Sequence, residues 1–271
     1  MRKRVTATAE PPEDRRGDRQ FITALHRGLD LLRAFRPADH AGLSNRDLSE
    51  RTGLPNSTIS RLTYTLMQLD YLVYDDSTGR YRLGVPVLGL GYACLGGMQI
   101  VETAQVYMQK LVDQCGDGVL LALGGRDDMA MTYMATARAP SMVSLQLSVG
   151  SRISLARSAM GRAWLAGLEP EQRAPILSQI EARYGEDYPR IREGIDAAEQ
   201  QIAERGFYLN LREWKSDVHS IAVPYRSPRS DTPLLAFNLG GPAFLLPEER
   251  LVDDLGPRLV DMVRRVSRAG R

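Results

Sequence analysis

The chain has 271 residues, of which 43% are apolar and 25% charged, a composition typical of globular proteins with a buried core. This length fits two domains, a small one and a larger one. The net charge of only +2 excludes a polycationic protein, so binding to nucleic acid would require a local surface.

Signals for membranes, export and metals are weak throughout the sequence. No apolar run approaches the roughly 18–20 residues of a membrane span, and residues 1–20 lack the apolar stretch of a secretory signal. Cys94 and Cys115 form no CxxC pair, and the three histidines lie far apart. We therefore expect two reduced thiols, no metal, no cofactor and no membrane contact, in a cytoplasmic protein.

The N-terminal segment changes character near residue 21. Residues 1–20 mix charges with proline and show no apolar period, so we expect a disordered arm, solvated or touching DNA phosphates. Residues 21–35 instead place Leu25, Leu29, Leu32 and Phe35 at the spacing of an amphipathic helix.

Two short helices are predicted next, separated by a break. Ser44 is a suitable N-cap for a helix over Asn45–Arg51, and Gly53 stands where a C-cap requires a positive φ. The second helix begins at Asn56 or Ser57 and buries a stripe formed by Ile59, Leu62, Leu66 and Leu69. Two such helices joined by a turn that contains glycine are typical of a helix-turn-helix unit.

A β-hairpin is predicted directly after this unit. Residues 71–74 and 80–83 are rich in β-forming side chains, and Asp75–Gly79 between them has the composition of a turn. The hairpin would form the wing of a winged helix-turn-helix.

The C-terminal part alternates between strand and helix patterns. A linker helix ends before Gly96, and helix Gln99–Gln114 follows. Strands are predicted at 119–123, 129–135, 142–147, 206–211, 220–225 and 234–240, and helices at 158–168, 171–184, 189–205 and 248–267. This order favours an α+β fold with an antiparallel sheet. The predicted division is 1–20 (arm), 21–84 (winged helix-turn-helix), 85–98 (linker helix) and 99–271 (larger domain).

The second helix of the helix-turn-helix unit carries the candidate DNA-binding residues. Its polar side chains have the reach to contact base edges and phosphates in the major groove, which the start of such a helix enters. The alternative is a solvated polar face, but the preceding helix, the glycine turn and the hairpin all favour DNA binding. The predicted residues are Asn56, Ser57, Thr58, Ser60, Arg61 and Tyr64, with Arg80 on the wing.

Longer motifs resemble a known family. FITALHRGLDLLRAF and GLSNRDLSERTGLPNSTISRLTYTLMQLDYLVYDDSTGRYRLG resemble the DNA-binding domain of the IclR transcription regulators. VGSRISLARSAMGRAWLA, DVHSIAVPY and FNLGGPAFLLPEERL are similar to the effector domain of that family, so the resemblance covers residues 21–268. It implies a GAF-like C-terminal domain and a homodimer, or a dimer of dimers, that reads a palindromic operator in double-stranded DNA. An effector would change DNA affinity or contact with RNA polymerase.

Within the family, SAMGRAWLA and HSIAVPY most resemble the branch that controls aromatic-acid catabolism through the β-ketoadipate route, where activators predominate over repressors. The chain departs from this branch at Ala159, where a hydroxyl residue is usual, and from many family members at Ser220, where cysteine is common. The resemblance implies a small, aromatic carboxylic acid as effector.

The resemblance also places an effector pocket. Apolar members would form its walls, the free N–H groups at the start of helix 158–168 would favour a carboxylate, and Arg152 and Arg157 would flank it. The same residues permit a structural interpretation, in which Ser158 caps the helix, Gly161 allows close packing and the apolar groups are core. The predicted residues are Met142, Leu145, Leu147, Ile153, Ser158, Ala159, Met160, Gly161, Asn210, Asp217, Val218, Ser220, Asn238 and Gly240.

Two other functions compete with this interpretation. Asp217, His219 and Ser220 suggest a catalytic triad, but neighbouring strand residues point to opposite faces, and GxSxG, HExxH, Walker and GxGxxG motifs are missing from the sequence. Alternatively, the C-terminal domain only oligomerises or binds a protein partner. The apolar linker helix would contact a second subunit, or else pack on its own domain.

Overall fold

The computed structural model describes residues 20–139, 141, 143–228 and 233–270. The chain forms two compact units that divide between Cys94 and Leu95. The helices and strands are α1 (Thr23–Arg33), α2 (Asn45–Thr52), α3 (Asn56–Gln68), β1 (Leu72–Asp75), β2 (Arg80–Leu83), α4 (Val85–Gly96), α5 (Gln99–Val112), β3 (Leu120–Asp127), β4 (Ala130–Arg138), β5 (Arg152–Ser154), α6 (Ala159–Ala166), α7 (Pro170–Tyr184), α8 (Tyr188–Arg205), β6 (Tyr208–Leu211), β7 (Val218–Tyr225), β8 (Leu235–Pro242), α9 (Glu248–Arg250) and α10 (Gly256–Ala269).

The helix-turn-helix unit has the local chemistry that its sequence predicts. The Asp47 amide donates to the Ser44 hydroxyl (3.2 Å) and the Ser44 amide to the Asp47 carboxylate (2.9 Å), which closes a capping box at the start of α2. Gly53 ends α2 with a φ of +69°. The antiparallel strands β1 and β2 then form the predicted wing.

The core of the N-terminal unit is small and draws on α1, α2, α3 and both strands of the wing. Leu31 of α1, Leu48 of α2, Ile59 of α3 and Leu72 and Tyr81 of the wing are all buried. The prediction that Leu69 belongs to the buried stripe of α3 is wrong. Leu69 is exposed, because α3 ends at Gln68 and Leu69 only caps it.

The C-terminal unit is built on a six-stranded antiparallel sheet in the order β5-β4-β3-β8-β7-β6. Helices α5 and α10 cover one face, where they pack on Leu121, Phe237 and Leu239. Helices α6, α7 and α8 cover the other face. This confirms the predicted α+β fold with an antiparallel sheet.

The strand predicted at 142–147 is wrong for its described part, since 143–147 have no regular structure. β4 pairs instead with β5, farther along the chain. Leu145 and Leu147 still pack on the core, and the Arg138 guanidinium donates to the Leu147 carbonyl. The alternating apolar pattern is therefore satisfied by packing rather than by strand pairing.

The helix predicted over 248–267 is divided into α9, a π-helical turn at Leu251–Leu255, and α10. Pro257, at the start of α10, has no backbone N–H to donate to the regular i→i−4 hydrogen bonds of an α-helix. The wider π-helical turn precedes it.

Two further observations concern only the part of the chain that the structure describes. No single helix there is long and apolar enough to cross a membrane. No group of three or more histidine, cysteine, aspartate or glutamate side chains is arranged there to hold a metal ion.

Cys94 is exposed and Cys115 is buried, and neither forms a disulfide.

An ion pair joins the loop after α1 to the end of α2. The Arg51 guanidinium donates to both carboxylate oxygens of Asp39 at 2.6 and 2.8 Å, and the Arg36 amide donates to the same carboxylate at 2.7 Å. The hydrogen bond from Arg51 is the main reason that the pKa of Asp39 lies below its ordinary value.

Replacing Asp39 with asparagine should destabilise the N-terminal unit by about 1 kcal/mol near neutral pH. Because folding lowers the pKa of Asp39, the stabilisation exists above the unfolded pKa and disappears as pH falls through the folded value. Calorimetric unfolding of wild type and Asp39→Asn between about pH 7 and about pH 3 gives the free energy of unfolding as a function of pH. The two curves should converge in acid. A constant difference across this range would contradict the assignment.

Candidate functional site

The outer face of α3 presents an uninterrupted set of polar side chains. Asn56, Ser57, Ser60, Arg61 and Tyr64 are all exposed. Thr58, the sixth residue predicted on this helix, is half-buried on the side that faces α1. The exposed groups span three turns and leave their hydrogen-bonding atoms accessible, as a helix in a DNA groove requires.

Two contacts within the unit orient this face. The Asn45 side chain at the start of α2 donates to the Ser60 hydroxyl at 3.2 Å, which joins the two helices. Arg80 is directed inward. Its guanidinium donates to the Gly42 carbonyl (2.8 Å) and to the Asp47 carboxylate (3.2 Å), so Arg80 anchors the wing to the helix-turn-helix.

The candidate effector residues of the C-terminal unit meet where the sheet faces α6. Asn210, Ser220 and Gly240 are directly paired across β6, β7 and β8. Asn238 lies in the next row, between Ala222 and Ala122. Four of the predicted residues thus share one patch of the sheet, although they are far apart in sequence.

The side chains of Asn238 and Ser220 are buried but have no hydrogen-bond partner among the described residues. Asn238 is 6% exposed and Ser220 is 5% exposed. Their neighbours in the two rows, Ala122, Ala222 and Gly240, have no polar side chain that could pair with them. Buried polar groups are normally paired, so these two are suited to receive a ligand.

The start of α6 has a mixed role. The Ser158 hydroxyl accepts from the Gly161 amide (3.1 Å) and donates to the Ser154 carbonyl (2.6 Å), so Ser158 is a helix cap. A Cβ at Gly161 would overlap the Leu155 carbonyl, so this glycine allows close packing. The amides of Ala159 and Met160, the first two of the helix, make no hydrogen bond within the described residues.

The apolar residues predicted as pocket walls form one cluster beside these groups. Ile153 and Met160 are buried, and Leu145 and Leu147 are half-buried against them. Met142, the remaining predicted wall residue, lies outside the described residues.

The predicted residues at the edge of the site are less well placed. Val218 is buried at the start of β7, on the same side of the strand as Ser220, whereas Asp217 is exposed in the preceding turn. Arg157 pairs with Asp187 at 2.8 Å and Arg152 with Asp127 at 3.2 Å, both at the surface. Neither of these arginines is free to serve the site.

Sequence reasoning missed a buried arginine. Arg162 is 2% exposed, and its guanidinium donates to the Ala156 carbonyl (3.0 Å), the Tyr208 hydroxyl and the Glu213 carboxylate. Burial is the main reason that the pKa of Tyr208 rises to about 12. A Cβ at Gly194 would overlap the guanidinium. On a helix pattern Arg162 looks like any surface arginine, so no local signal could have identified it.

A second missed arginine lies at the other end of the row. Arg138 pairs directly across the sheet with Leu120, and Leu120 with Gly240. Its guanidinium donates to the Leu147 carbonyl and has no carboxylate partner among the described residues. It lies in the same row as Ser220, three strands away across the sheet.

The structure does not assemble the triad considered from sequence. His219 Nδ1 lies 2.9 Å from the Leu246 carbonyl oxygen, on the face opposite to Ser220. Asp217 is exposed in the turn before β7. The three side chains therefore do not converge.

Comparison with known proteins identifies both units. Residues 24–76 match the IclR helix-turn-helix domain, and residues 92–268 match the C-terminal domain of the bacterial IclR transcriptional regulators. The Pca regulon regulatory protein of Pseudomonas putida is 31% identical over 211 residues, which cover 77% of this chain and 70% of that protein.

Solved structures share the fold. An IclR family transcriptional regulator from Brucella abortus is 41% identical, with a TM-score of 0.84 over 95% of this chain and 96% of that one. An IclR homologue from Microbacterium hydrocarbonoxydans, solved in complex with 4-hydroxybenzoate, has a TM-score of 0.67 at 22% identity, over 91% and 99% of the two chains.

Replacing Gly161 with alanine should destabilise the C-terminal unit by about 2 kcal/mol, because the added methyl group overlaps backbone that cannot move freely. Both tryptophans, Trp164 and Trp214, lie in this unit, so urea unfolding followed by tryptophan fluorescence measures it selectively. Gly96→Ala is the matched control, since a Cβ there meets no atom within 4 Å. Equal stability of the two variants would refute the close-packing role.

Proposed function

This chain belongs to the IclR family of DNA-binding transcriptional regulators, and we propose that its C-terminal domain senses a small aromatic carboxylic acid. The observation that carries the proposal is a pair of polar residues, Asn238 and Ser220, whose side chains make no hydrogen bond with the described residues and which lie on the sheet face that α6 covers. Its relatives are regulators and not enzymes, so a ligand at this position is an effector and not a substrate.

The polar groups fit the two ends of such a ligand. A carboxylate is favoured by the free amides of Ala159 and Met160, since a helix N-terminus attracts negative charge. Arg138 is the β4 member of the same row and adds a cation at that end of the row. Asn238 and Ser220 can hydrogen-bond a hydroxyl or carbonyl group at the other end of the ligand. Asn210 instead donates to the Arg157 carbonyl (3.0 Å) and holds the segment before α6.

The apolar groups fit a flat ring between these ends. Leu145, Leu147, Ile153 and Met160 supply a wall, and the sheet rows that face α6 carry the small residues Ala122, Ala222 and Gly240. Two relatives support an aromatic acid, namely the Pca regulon regulatory protein and the homologue complexed with 4-hydroxybenzoate. We infer control of a catabolic operon by such an acid, in the cytoplasm, where bacterial DNA lies.

The regulatory step requires that the acid bind two states of the protein with different affinity. DNA recognition is assigned to the exposed groups of α3, with Arg61 and Tyr64 at the centre of the face. The effector then changes either the affinity for the operator or the contact with RNA polymerase.

A thermal-unfolding panel of hydroxybenzoates, dihydroxybenzoates and aliphatic keto acids tests the proposal. An acid at about 100 times its dissociation constant should stabilise the protein by about 2.7 kcal/mol. Asn238→Leu should abolish this shift, because it removes the amide assigned to the ligand, and the unfolding transition of the ligand-free variant verifies that it folds.

The surface variant Gln200→Leu, on the exposed side of α8, should respond like wild type and serves as the control. A shift that persists in Asn238→Leu would place the ligand elsewhere. A response only to aliphatic acids would retain the sensor and reject the aromatic class.

A second candidate function of the C-terminal domain is the docking of a protein partner. A groove of about 530 Å³ between α5 and α10 favours it. Its floor contains Leu111 and Met262, and Lys110, Arg258 and Arg265 lie at its rim with Asp261. Failure of every acid in the panel would shift support to this groove.

The exposed apolar surface of the N-terminal unit supports a homodimer. Ile22, Leu25 and Leu29 form a stripe on α1 and are 65%, 59% and 51% exposed. On α4, Val85, Leu88, Leu90 and Tyr92 are also exposed, and none of its residues is buried. Apolar surface of this extent marks an interface, and two identical copies can cover it reciprocally about a two-fold axis. Such dimers could pair further into a dimer of dimers.

Replacing Leu88 and Tyr92 together with lysine should raise the dimer dissociation constant at least 100-fold, because two apolar groups are lost and charge is introduced. Sedimentation equilibrium measures this constant. The double variant Glu186→Gln/Glu193→Gln, on the surface of the C-terminal unit, changes the net charge by the same +2 and serves as the control. An unchanged dimer in the α4 variant would exclude this helix from the interface.

A further inference from the structure

A groove beside the recognition helix includes a residue that the DNA-binding assignment leaves out. The groove has a volume of about 630 Å³. Helix α1 contributes Ala24 and Arg27 to its lining. Helix α3 contributes Thr58, Ser60, Arg61, Leu62, Tyr64 and Thr65. Three of the exposed residues on the recognition face therefore share this groove with an arginine from another helix.

The position of Arg27 follows from the periodicity of α1. Leu31, one turn later, is fully buried in the core, and residues four apart lie on the same side of a helix. Ala24, three residues earlier, lines the same groove. Burial of Leu31 therefore turns Arg27 toward α3, away from the apolar stripe of Leu25 and Leu29.

The side chain of Arg27 is exposed and has no hydrogen bond or ion pair with any described residue. Other arginines of this unit are engaged. Arg51 binds Asp39, Arg80 binds Asp47 and Arg46 binds Glu50. The charge of Arg27 is therefore available to a ligand.

The lining of the groove selects for an anion. It contains two guanidinium groups, from Arg27 and Arg61, three aliphatic hydroxyls and one phenol, and it includes no carboxylate. The Thr58 hydroxyl makes no hydrogen bond with the described residues and faces the same space as Arg27. Guanidinium and hydroxyl donors are the groups that bind phosphate oxygens in protein–DNA interfaces.

We propose that Arg27 binds a phosphate of the DNA backbone at the edge of the major groove entered by α3, with Thr58 as a second donor. Arg61 and Tyr64 extend farther out from the same groove and face the bases. Arg27 thus sets the depth and register of α3 but does not read sequence, since phosphate contacts position a protein and base contacts specify the site. The proposal rests on the DNA-binding role of α3.

The test is the salt dependence of DNA binding by full-length protein. Fluorescence anisotropy is measured on an operator duplex, selected from a random pool with wild-type protein, and on a scrambled duplex. Each lost phosphate contact lowers the slope of log K against log [salt] by about 0.9. Arg27→Ala should therefore lower the slope by about 1 for each bound protomer and weaken both duplexes by a similar factor, about three- to tenfold per protomer.

Three variants make the result specific. Arg27→Lys keeps the charge and should keep the wild-type slope. Arg190→Ala removes an exposed charge from the C-terminal unit and should change neither the slope nor the affinity. Arg61→Ala should weaken binding to the operator about 5- to 150-fold more than binding to the scrambled duplex, because it removes a base contact.

Three outcomes would overturn the proposal. The first is an unchanged slope in Arg27→Ala, which means that no phosphate contact was lost. The second is an effect confined to the operator, which makes Arg27 a base reader. The third is a change in oligomeric state, seen by sedimentation, which assigns Arg27 to the dimer contact. Since Arg27 has no hydrogen bond or ion pair with the residues that the structure describes and alanine favours helix, the variant should fold, and circular dichroism verifies this.

Discussion

The depth at which α6 lies against the sheet is the constraint on which the C-terminal unit depends. Seven of the eight residues in α6 are buried, so the helix can fit only where side chains on both surfaces are small. Gly161 lies against the Leu155 carbonyl, and a Cβ at Gly124 would come within 2.5 Å of Met160 Sδ. The same depth buries Arg162, whose charge must then be satisfied internally, and Glu213 and Tyr208 do so. Rotation or lifting of α6 would break all of these contacts together.

The candidate effector site follows from this packing. Small residues on β3, β7 and β8 allow α6 to approach, and Asn238 and Ser220 are buried on that face without a hydrogen bond to the described residues. The polar groups at the margin of the site are paired: Asn210 holds the Arg157 carbonyl, and Ser158 caps α6.

The sequence predicted those features whose cause is local. The cap at Ser44, the left-handed Gly53 and the hairpin depend on a few adjacent residues, and each was confirmed. Two predictions were wrong because of tertiary packing. The alternating leucines of the strand predicted at 142–147 pack on the core without pairing as a strand, and Leu69, predicted to be buried, is exposed. In the site, resemblance identified Asn238 and Ser220, but Arg138 and Arg162 acquire their roles only through sheet register and helix depth. The inward direction of Arg80 depends on Asp47, 33 residues away.

Helix α1 is short and carries an exposed apolar stripe on one side and the residues that face α3 on another. Ile22, Leu25 and Leu29 form its apolar stripe, and Ala24, Arg27 and Leu31 face α3. A helix turns by about 100° for each residue, so inserting or deleting one residue within α1 would rotate one side relative to the other by that angle. A single substitution in α1 changes one side of the helix, whereas a change of length alters how the two sides are placed relative to each other. Natural variation in the length of this domain should therefore be confined to the turn Asp75–Gly79 and to the loop between α1 and α2, outside α1 itself.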